Sequence, residues 1–415
     1  MIEEEVLQKI RPRPEEEERL RRVAERILKD LEGLDARLEG SFRKGTWLSG
    51  DVDLDIFVFF PKDLGKEWLK ENALKVLLER LSKYDHVVSY ADHPYLTLNV
   101  DGVHVEVVPA LKVSSGEEAV TPVDRTPFHT DFVTRNLTPE QRDEVRLLKK
   151  FMKGIGVYGA EIKVRGFSGY VAELLVYFYG SFRNVISAAT GWKPPVFIPT
   201  ATPKREFKEP LVIPDPVDPR RNTASAVSLK RLAEFVLASR AYIKRPSIEF
   251  FFPPQGRRKG ELRGDVLVVR LKVLEDVVED TIWGQIYRNL DTLRNVLTEN
   301  HFKVMDLGAW MRDKEVFMAI QLESKDIGEW YLNQGPPFYD ERAAEDFAKK
   351  NDYVWVGEDG RLYAIKKRRN PDAKELVLKT LKFRTKVEII GAEWVSEVED
   401  EDLAEFLAKR PFWLT

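Results

Sequence analysis

The chain of 415 residues is predicted to be an α+β multidomain protein. It is longer than one ordinary domain, and 43% of its residues are apolar, which is enough for more than one core. Some segments repeat apolar residues at helical spacing, and others alternate as strands do. We expect an α+β head over residues 1–138, a mainly helical central domain over 139–254, and an α/β C-terminal body with a helical tail segment over 255–415.

The head is predicted to combine helices with mostly antiparallel strands. Leu20, Val23 and Ile27 recur at helical spacing within a predicted helix over 14–32. An apolar run over 54–60 predicts a buried strand. The other predicted head elements are a helix over 67–84 and strands over 87–89, 95–100 and 103–108, the last two joined by a turn at Asp101-Gly102.

The elements of the two later domains are predicted from the same patterns of apolar spacing and turn residues. Residues 139–179 show helical spacing around a glycine-rich turn, the proline-rich stretch 192–221 is expected to be mostly loop, and 229–242 is expected to be a helix. A basic loop at 257–260 marks the next boundary. The predicted C-terminal elements are strands over 266–271 and 316–322, strands near 353 and over 362–367, and helices over 282–300, 341–350 and 401–408.

Charge is unevenly distributed along the chain. The formal net charge is −3, which on average argues against a nucleic-acid partner. Residues 151–270, however, carry 20 basic and 10 acidic side chains, whereas 1–150 carry 24 and 30, and 271–415 carry 22 and 29. The middle of the sequence is therefore predicted to present a basic surface to a polyanion.

The composition restricts the kind of metal site and the location of the protein. Cysteine is absent, and the five histidines have no metal-binding spacing, so a metal would be held by carboxylates. The N-terminus lacks the order of a signal peptide, and no apolar run is long enough to cross a membrane. We therefore expect a cytoplasmic protein with no membrane partner.

The most informative segment begins at Gly40-Ser41. Gly40 and Gly45 have the spacing of a phosphate-binding P-loop, but Thr46 stands where that motif requires lysine, and no apolar strand precedes the segment. We therefore exclude a P-loop ATPase. A Gly-Ser turn that offers N–H groups and a hydroxyl to phosphate oxygens remains.

Acidic residues follow this turn closely. Asp51, Asp53 and Asp55 would project to one face of an extended chain, an arrangement that suits Mg²⁺, with Mn²⁺ as the alternative, although an exposed acidic loop has the same pattern. The buried strand after Asp55 favours the metal. Glu106 alternates with apolar residues in 103–108, so it either faces solvent or completes a three-carboxylate, two-metal site for phosphoryl transfer.

These residues resemble those of a known family. Gly40-Ser41 with Asp53-Leu54-Asp55 and a later strand acid is similar to the polymerase-β-like nucleotidyltransferase superfamily. Further motifs, in the family's order, resemble archaeal class I tRNA CCA-adding enzymes. They are TWL at 46–48, HPY at 93–95, VDRTPFH at 123–129, YGAE at 158–161, VRGFSGY at 164–170, DPVD at 215–218, RN at 221–222 and GPPF at 335–338 before DER at 340–342.

The resemblance implies an enzyme that adds C, C and A in turn to the 3′ end of tRNA, from CTP and ATP in one site and without a nucleic-acid template. It also implies a divalent cation, contacts with the tRNA acceptor arm and 3′ end, and a homodimer. Asp53, Asp55 and Glu106 would hold the metal, and Glu106 could also take the proton of the attacking hydroxyl.

The resemblance further assigns the nucleotide-binding positions. Those expected at the triphosphate are Gly40, Ser41 and Lys44, those expected around phosphates and ribose are His129, Lys149 and Tyr158, and the base is expected to meet Arg221. Two positions depart from the family pattern. Glu106 stands where the family often has Asp, and Lys44 keeps the charge of an arginine but not its bidentate fork. Asp51 lies outside the family's acidic pair.

Each assigned residue also has an ordinary interpretation. Without the resemblance, His129 is a loop histidine, Lys149 is a solvated helix residue and Tyr158 is part of a core. The sequence alone does not separate Arg221 from its neighbour Arg220. Two other functions also stay open: a poly(A)-type or small-molecule nucleotidyltransferase on the same head, which the long chain beyond the head disfavours, and a non-catalytic RNA-binding protein, which the retained acids disfavour.

Overall fold

The computed structural model describes residues 1–255 and 260–414. They form two compact units, one of residues 1–255 with 411–414 and the other of residues 260–410. Both units combine helices with sheets, so the predicted α+β multidomain class is confirmed. Residues 257–259 of the predicted basic loop lie outside the described part of the chain, and the division into three domains stays a prediction.

A five-stranded sheet organises the first part of the N-terminal unit. Its strands are β1 (Asp35–Glu39), β2 (Leu54–Pro61), β3 (Asp85–Tyr90), β4 (Pro94–Val100) and β5 (Val103–Lys112). The spatial order is β1-β2-β5-β4-β3, with β2 and β5 parallel and the other pairs antiparallel. The predicted hairpin between β4 and β5 is confirmed, and its turn places Asp101 and Gly102 at φ 52° and 78°.

Two helices cover one face of this sheet. The helices of this region are α1 (Ile2–Ile10), α2 (Pro14–Asp30), α3 (Gly40–Lys44), α4 (Gly65–Trp68) and α5 (Leu74–Leu81), with a π-helical segment (Leu69–Ala73) between the last two. Apolar residues of α2 and α5 pack with Ile56 and Val105 of the sheet in one core. Because side chains alternate along a strand, Asp55 and Glu106 point to the opposite face. The same face carries a small apolar cluster further along the two strands, so the acids lie next to buried side chains.

The rest of the N-terminal unit is mainly helical. Its helices are α6 (Thr126–Asn136), α7 (Pro139–Gly154), α8 (Gly169–Tyr179), α9 (Phe182–Ala189) and α10 (Leu229–Lys244). Thr138 and Gln141 form a capping box that begins α7, and Ser168 caps α8. The helices share an aromatic core around fully buried Phe151. The stretch 192–221 is mostly loop, as predicted, but it also holds the short strands β6 (Val196–Phe197), β7 (Leu211–Val212), β8 (Pro214–Asp215) and β9 (Asp218–Asn222).

The C-terminal unit contains two antiparallel sheets. Its strands are β10 (Asp265–Val273), β11 (Val304–Arg312), β12 (Glu315–Leu322), β13 (Trp330–Pro337), β14 (Val354–Val356), β15 (Arg361–Lys367) and β16 (Val387–Trp394), and its helices are α11 (Glu279–Glu299), α12 (Glu341–Lys349), α13 (Ala373–Thr380) and α14 (Glu401–Ala408). One sheet has the order β11-β12-β10-β16 and the other β13-β15-β14. Strands β10 and β11 are parallel with β12 between them, so β10, α11 and β11 form a split β-α-β unit.

Several elements were not predicted from the sequence. They are the helices α1, α3, α6, α9 and α13 and the strands β1, β6 to β9, β11, β13 and β16. Strand β1 leads directly into Gly40, but its sequence, Asp-Ala-Arg-Leu-Glu, is not an apolar run. Neither this ground for excluding a P-loop nor the other, Thr46 in the place of lysine, is changed. The segment predicted as a Gly-Ser turn is the short helix α3.

Candidate active site

A row of carboxylates crosses the face of the head sheet opposite the core formed with α2 and α5. Asp55 on β2 pairs directly with Glu106 on β5 and, on its other side, with Glu39 on β1. Residues paired in this way project to the same face, so the three side chains are neighbours. Asp53 comes two residues before Asp55, just ahead of the strand, and is exposed.

The close approach of these acids changes their protonation. Burial, reinforced by the negative charges of Glu106 and Asp53, raises the pKa of Asp55 to about 7. Burial and the charge of Asp53 also raise the pKa of Glu106. Burial likewise raises the pKa of Glu39, which is fully buried and accepts a hydrogen bond from Arg43 Nη1 at 3.1 Å. A cation between the carboxylates would relieve this repulsion.

Gly40 closes one side of the acidic row. It begins helix α3 in the left-handed region at φ 71°, and a Cβ atom there would lie 2.0 Å from Asp55 Oδ2. Only glycine allows the backbone of α3 to approach this carboxylate so closely. Ser41 and Lys44 are carried by the same helix, so the phosphate-binding positions predicted from the sequence are fixed beside the acids.

The acidic row is chemically suited to a divalent cation that also binds phosphates. In the described residues, no group of three Asp, Glu or His side chains is arranged to hold a metal by itself. Mg²⁺, however, takes one or two carboxylates and completes its shell with water and substrate phosphates. The mutual charge repulsion of Asp55 and Glu106 fits this donor set.

Two lysines meet a buried glutamate next to the acids. Lys44 Nζ donates to Glu173 Oε2 at 2.9 Å, and Lys149 Nζ lies 3.6 Å from Glu173 Oε1. Thr46 donates its hydroxyl to Glu173 Oε1 at 2.7 Å and accepts a hydrogen bond from Lys149 at 3.2 Å. Glu173 is 1% exposed, so its charge has no solvent partner and is balanced by the two lysines.

Burial is the main cause of the shifted pKa values of Lys149 and of Tyr158. It lowers the pKa of Lys149 to about 8, and the nearby charge of Glu173 opposes this effect. Burial also raises the pKa of Tyr158, so its hydroxyl stays protonated at neutral pH. A Cβ atom at Gly169 would lie 2.9 Å from the Tyr158 hydroxyl and 3.3 Å from Lys149 Nζ, so both groups converge on this glycine.

A third group of side chains surrounds Asp215. His129 Nε2 lies 2.8 Å from Asp215 Oδ2, and the Tyr170 hydroxyl donates to Oδ1 at 3.1 Å. The rings of His129 and Tyr170 stack with centroids 4.0 Å apart, and Arg221 Nη1 lies 3.7 Å from Asp215. Burial lowers the pKa of His129, although its bond to Asp215 works against this, so the imidazole is neutral at pH 7.

Comparisons with known proteins indicate the same family along the whole chain. Family models match as the nucleotidyltransferase domain over residues 20–129, the second domain of tRNA nucleotidyltransferase over 143–252, and the C-terminal domain of the CCA-adding enzyme over 263–395. The CCA-adding enzyme of Sulfolobus acidocaldarius is 53% identical over 415 residues, covering 100% of this chain and 99% of the relative. The chain belongs to the CCA-adding enzymes.

Other similarities are consistent with this membership. The CCA-adding enzyme of Sulfurisphaera tokodaii is also 53% identical, over 414 residues, with 100% of this chain and 99% of the relative covered. Among solved structures, CdnC of E. coli MS115-1 with ATP is 16% identical, with a TM-score of 0.46 over 60% of this chain and 93% of that one. That structural likeness is too low to bear on function.

This CCA-adding enzyme thus gathers most of the predicted positions into adjoining groups. Lys44 connects two of these groups, because its positive charge acts to lower the pKa of Asp55 in the acidic row and that of His129 beside Asp215. Ser41 lies in α3, and within residues 1–255 and 260–414 its hydroxyl forms no hydrogen bond. Asp51 is instead exposed and forms an ion pair with Lys153 of α7. It is therefore not part of the acidic row.

Four residues of the candidate site were not predicted from the sequence. They are Glu39, Tyr170, Glu173 and Asp215. Glu173 had a signal, because it is a lone acid in the otherwise apolar helix α8. Asp215 and Tyr170 stood inside quoted motifs, but only the fold shows that they share a contact. The structure also separates Arg221 from Arg220, whose guanidinium bonds Asp218 at 2.8 Å.

Proposed function

We propose that this CCA-adding enzyme adds C, C and A in turn to the 3′ end of tRNA, using CTP and ATP without a template. In each step the terminal hydroxyl of the tRNA attacks the α-phosphorus of the nucleotide, the bond to the β-phosphate oxygen breaks, and pyrophosphate leaves. The observation that carries the proposal is the pairing of Asp55 with Glu106 beside the cluster of Lys44, Lys149 and Glu173.

Asp53, Asp55 and Glu106 are the proposed ligands of two divalent cations, each held by one or two of these carboxylates, with Mg²⁺ preferred and Mn²⁺ as the alternative. When bound, such a cation lowers the pKa of an attacking hydroxyl and offsets charge on the triphosphate. Glu106 has a second proposed role, because its carboxylate lies beside Asp55 on the face of the sheet where the attacking hydroxyl would be bound. It would take the proton of the tRNA hydroxyl.

The lysine cluster is proposed to bind the triphosphate. Lys44 lies on α3, which begins at Gly40, and Lys149 lies on α7, so cations on two helices can face the same phosphates. Glu173 keeps both lysines in place and favours the charged form of Lys149. Ser41, in the first turn of α3, is proposed to donate its hydroxyl to a phosphate oxygen.

The groups around Asp215 are proposed to meet the ribose and the base. Asp215 fixes His129 through Nε2, so the imidazole is held on the ring of Tyr170 and is kept neutral by burial. Arg221 is partly exposed at 38% and keeps donors for a base or an RNA phosphate. Tyr158 is proposed to close the site from the side of Lys149.

The remaining proposals concern the whole molecule. We assign catalysis to the head at 1–138, nucleotide and RNA contacts to the basic region within 139–254, and binding of the tRNA acceptor arm to 255–415. A cytoplasmic location follows from the tRNA substrate, and the family resemblance suggests a homodimer. In the described residues, no helix is long and apolar enough to cross a membrane.

The test is an incorporation assay with matched aspartate variants. Asp55→Ala should abolish incorporation of both CMP and AMP, while binding of a tRNA that lacks its 3′ end persists. Asp51→Ala is the control, because Asp51 lies in the same segment but pairs with Lys153 outside the acidic row. Activity that survives Asp55→Ala would show that the acidic row is not the catalytic site.

A further inference from the structure

A cavity of about 510 Å³ lies on the N-terminal unit, with a lining rich in arginine. It is bordered by the segment after α1, by α2, by β1, by α3 and by α7. None of its lining residues belongs to the carboxylate row, the lysine cluster or the Asp215 group. Its arginines are Arg11, Arg21, Arg43, Arg142 and Arg146, and its acids are Glu17 and Asp143.

The two acidic side chains of the cavity do not offset the positive charge of its five arginines. Asp143 is shared, because Arg11 Nη2 and Arg146 Nη1 each lie 2.8 Å from one of its oxygens. Glu17 pairs with Arg21 at 2.8 Å, and Arg43 pairs with two acids outside the lining, Glu39 at 3.1 Å and Asp131 at 3.4 Å. Arg146 also donates to the carbonyls of Gly45 and Trp47, so it adds positive charge to the lining but is held inside the wall of the cavity.

Arg142 is the arginine of the cavity whose positive charge is least offset by acidic side chains. Within residues 1–255 and 260–414, it forms no ion pair, its Nη2 donates to the carbonyl of Thr134 at 3.2 Å, and its buried Nε has no hydrogen-bond partner. A Cβ atom at Gly45 would lie 3.3 Å from its Cδ, so the side chain is held against the end of α3. Its guanidinium therefore brings a positive charge without an acidic partner to the wall of the cavity, and such a charge favours an anion there.

We propose that this cavity is a second anion site, separate from the catalytic site, that binds a phosphoryl group through Arg142 with Arg11 and Arg21. Planar guanidinium groups with several parallel donors match the oxygens of a phosphate, which supports this ligand class. The phosphoryl group comes either from the tRNA backbone or from free pyrophosphate. The site itself does not depend on the proposed activity.

The first arm of the test measures binding of labelled pyrophosphate to the full chain in saturating CTP, which fills the catalytic triphosphate site. The wild-type protein should bind one pyrophosphate, and Arg142→Gln should bind it about tenfold more weakly or worse. Arg135→Gln is the control, because it removes the same charge from an exposed position on α6. Arg21→Gln should also weaken binding, which keeps the test informative if Arg142→Gln proves unstable in a melting curve.

The second arm separates the two sources of the phosphoryl group. If the tRNA backbone occupies the cavity, Arg142→Gln weakens tRNA binding and lowers the slope of log affinity against log salt by about one. If pyrophosphate is the ligand, tRNA binding and its salt slope are unchanged. The proposal is overturned if the CTP-saturated wild type binds no pyrophosphate and tRNA binding is unaffected, or if both arginine variants match the wild type in both arms.

Discussion

Asp55 and Glu106 are direct partners across the parallel pair β2 and β5, so two carboxylates share one face of the sheet. Burial and this neighbouring charge raise the pKa of Asp55 to about 7 from an ordinary value of 3.8. A carboxyl group that holds its proton more tightly in the folded state stabilises the fold at low pH. That contribution is lost as the pH rises from about 4 to about 7.

The first prediction concerns this loss of stability. In metal-free buffer, the free energy of unfolding of the wild type should fall relative to Asp55→Asn by about 2 to 4 kcal/mol between pH 4 and pH 7. The measurement is denaturant unfolding of both proteins across this range. Parallel pH curves would contradict the raised pKa, and added Mg²⁺ should reduce the difference because it offsets the repulsion.

The second prediction concerns the approach of α3 to Asp55. Gly40→Ala places a Cβ atom on the Asp55 carboxylate and should lower kcat by about tenfold or more, because small displacements of reacting groups are costly. Gly50→Ala is the matched control, since Gly50 has a similar φ of 74° but no atom within 4 Å of its Cβ position. Both variants carry the same backbone strain. Equal activities in steady-state assays would show that the contact with Asp55 has no catalytic importance.

The third prediction concerns Glu173 as a positioning residue. Glu173→Gln keeps the shape of the side chain but removes the charge that favours protonated Lys149, whose pKa is about 8. The KM for CTP should rise about tenfold with a smaller change in kcat, because a phosphate contact is weakened. The alkaline limb of the pH profile for nucleotide binding should also move to lower pH. Glu140→Gln, at an exposed position on α7, should leave both quantities unchanged.

The fourth prediction separates two adjacent arginines. Arg221→Lys should change the ratio of kcat/KM for CTP to that for ATP by about tenfold, because lysine lacks the planar fork that reads a base edge. Arg220→Lys should have little effect, since Arg220 is engaged with Asp218. If the two variants behave alike, the orientation of Arg221 toward Asp215 does not decide base selection.

Much of the fold was predictable where one face of an element is buried. The predicted helix over 14–32, the strand over 54–60 and the 95–108 hairpin all have regular apolar spacing, and the structure confirms them. The missed strands β1, β11 and β16 lie at sheet edges, where both faces are partly exposed and the alternation is weak. Their existence depends on pairing with strands distant in the sequence, which local patterns do not report.

Only part of the candidate site could be predicted from the sequence. Asp53 and Asp55 were found from their spacing beside a buried strand, and Glu106 from strand alternation. Glu173 and Asp215 were not found, because their importance depends on contacts with Lys44 and His129, which are distant in the sequence. The roles of Lys149, Tyr158 and Arg221 came from the family resemblance and stay predictions.

The most direct test of the central claim is the product of the reaction itself. The protein is incubated with Mg²⁺, CTP, ATP and a tRNA that lacks its 3′ end, and the 3′ termini are then sequenced. The account predicts the addition of C, C and A followed by termination, and no incorporation by Asp55→Ala. Unlimited addition of A, or transfer to a non-RNA acceptor instead of tRNA, would contradict it.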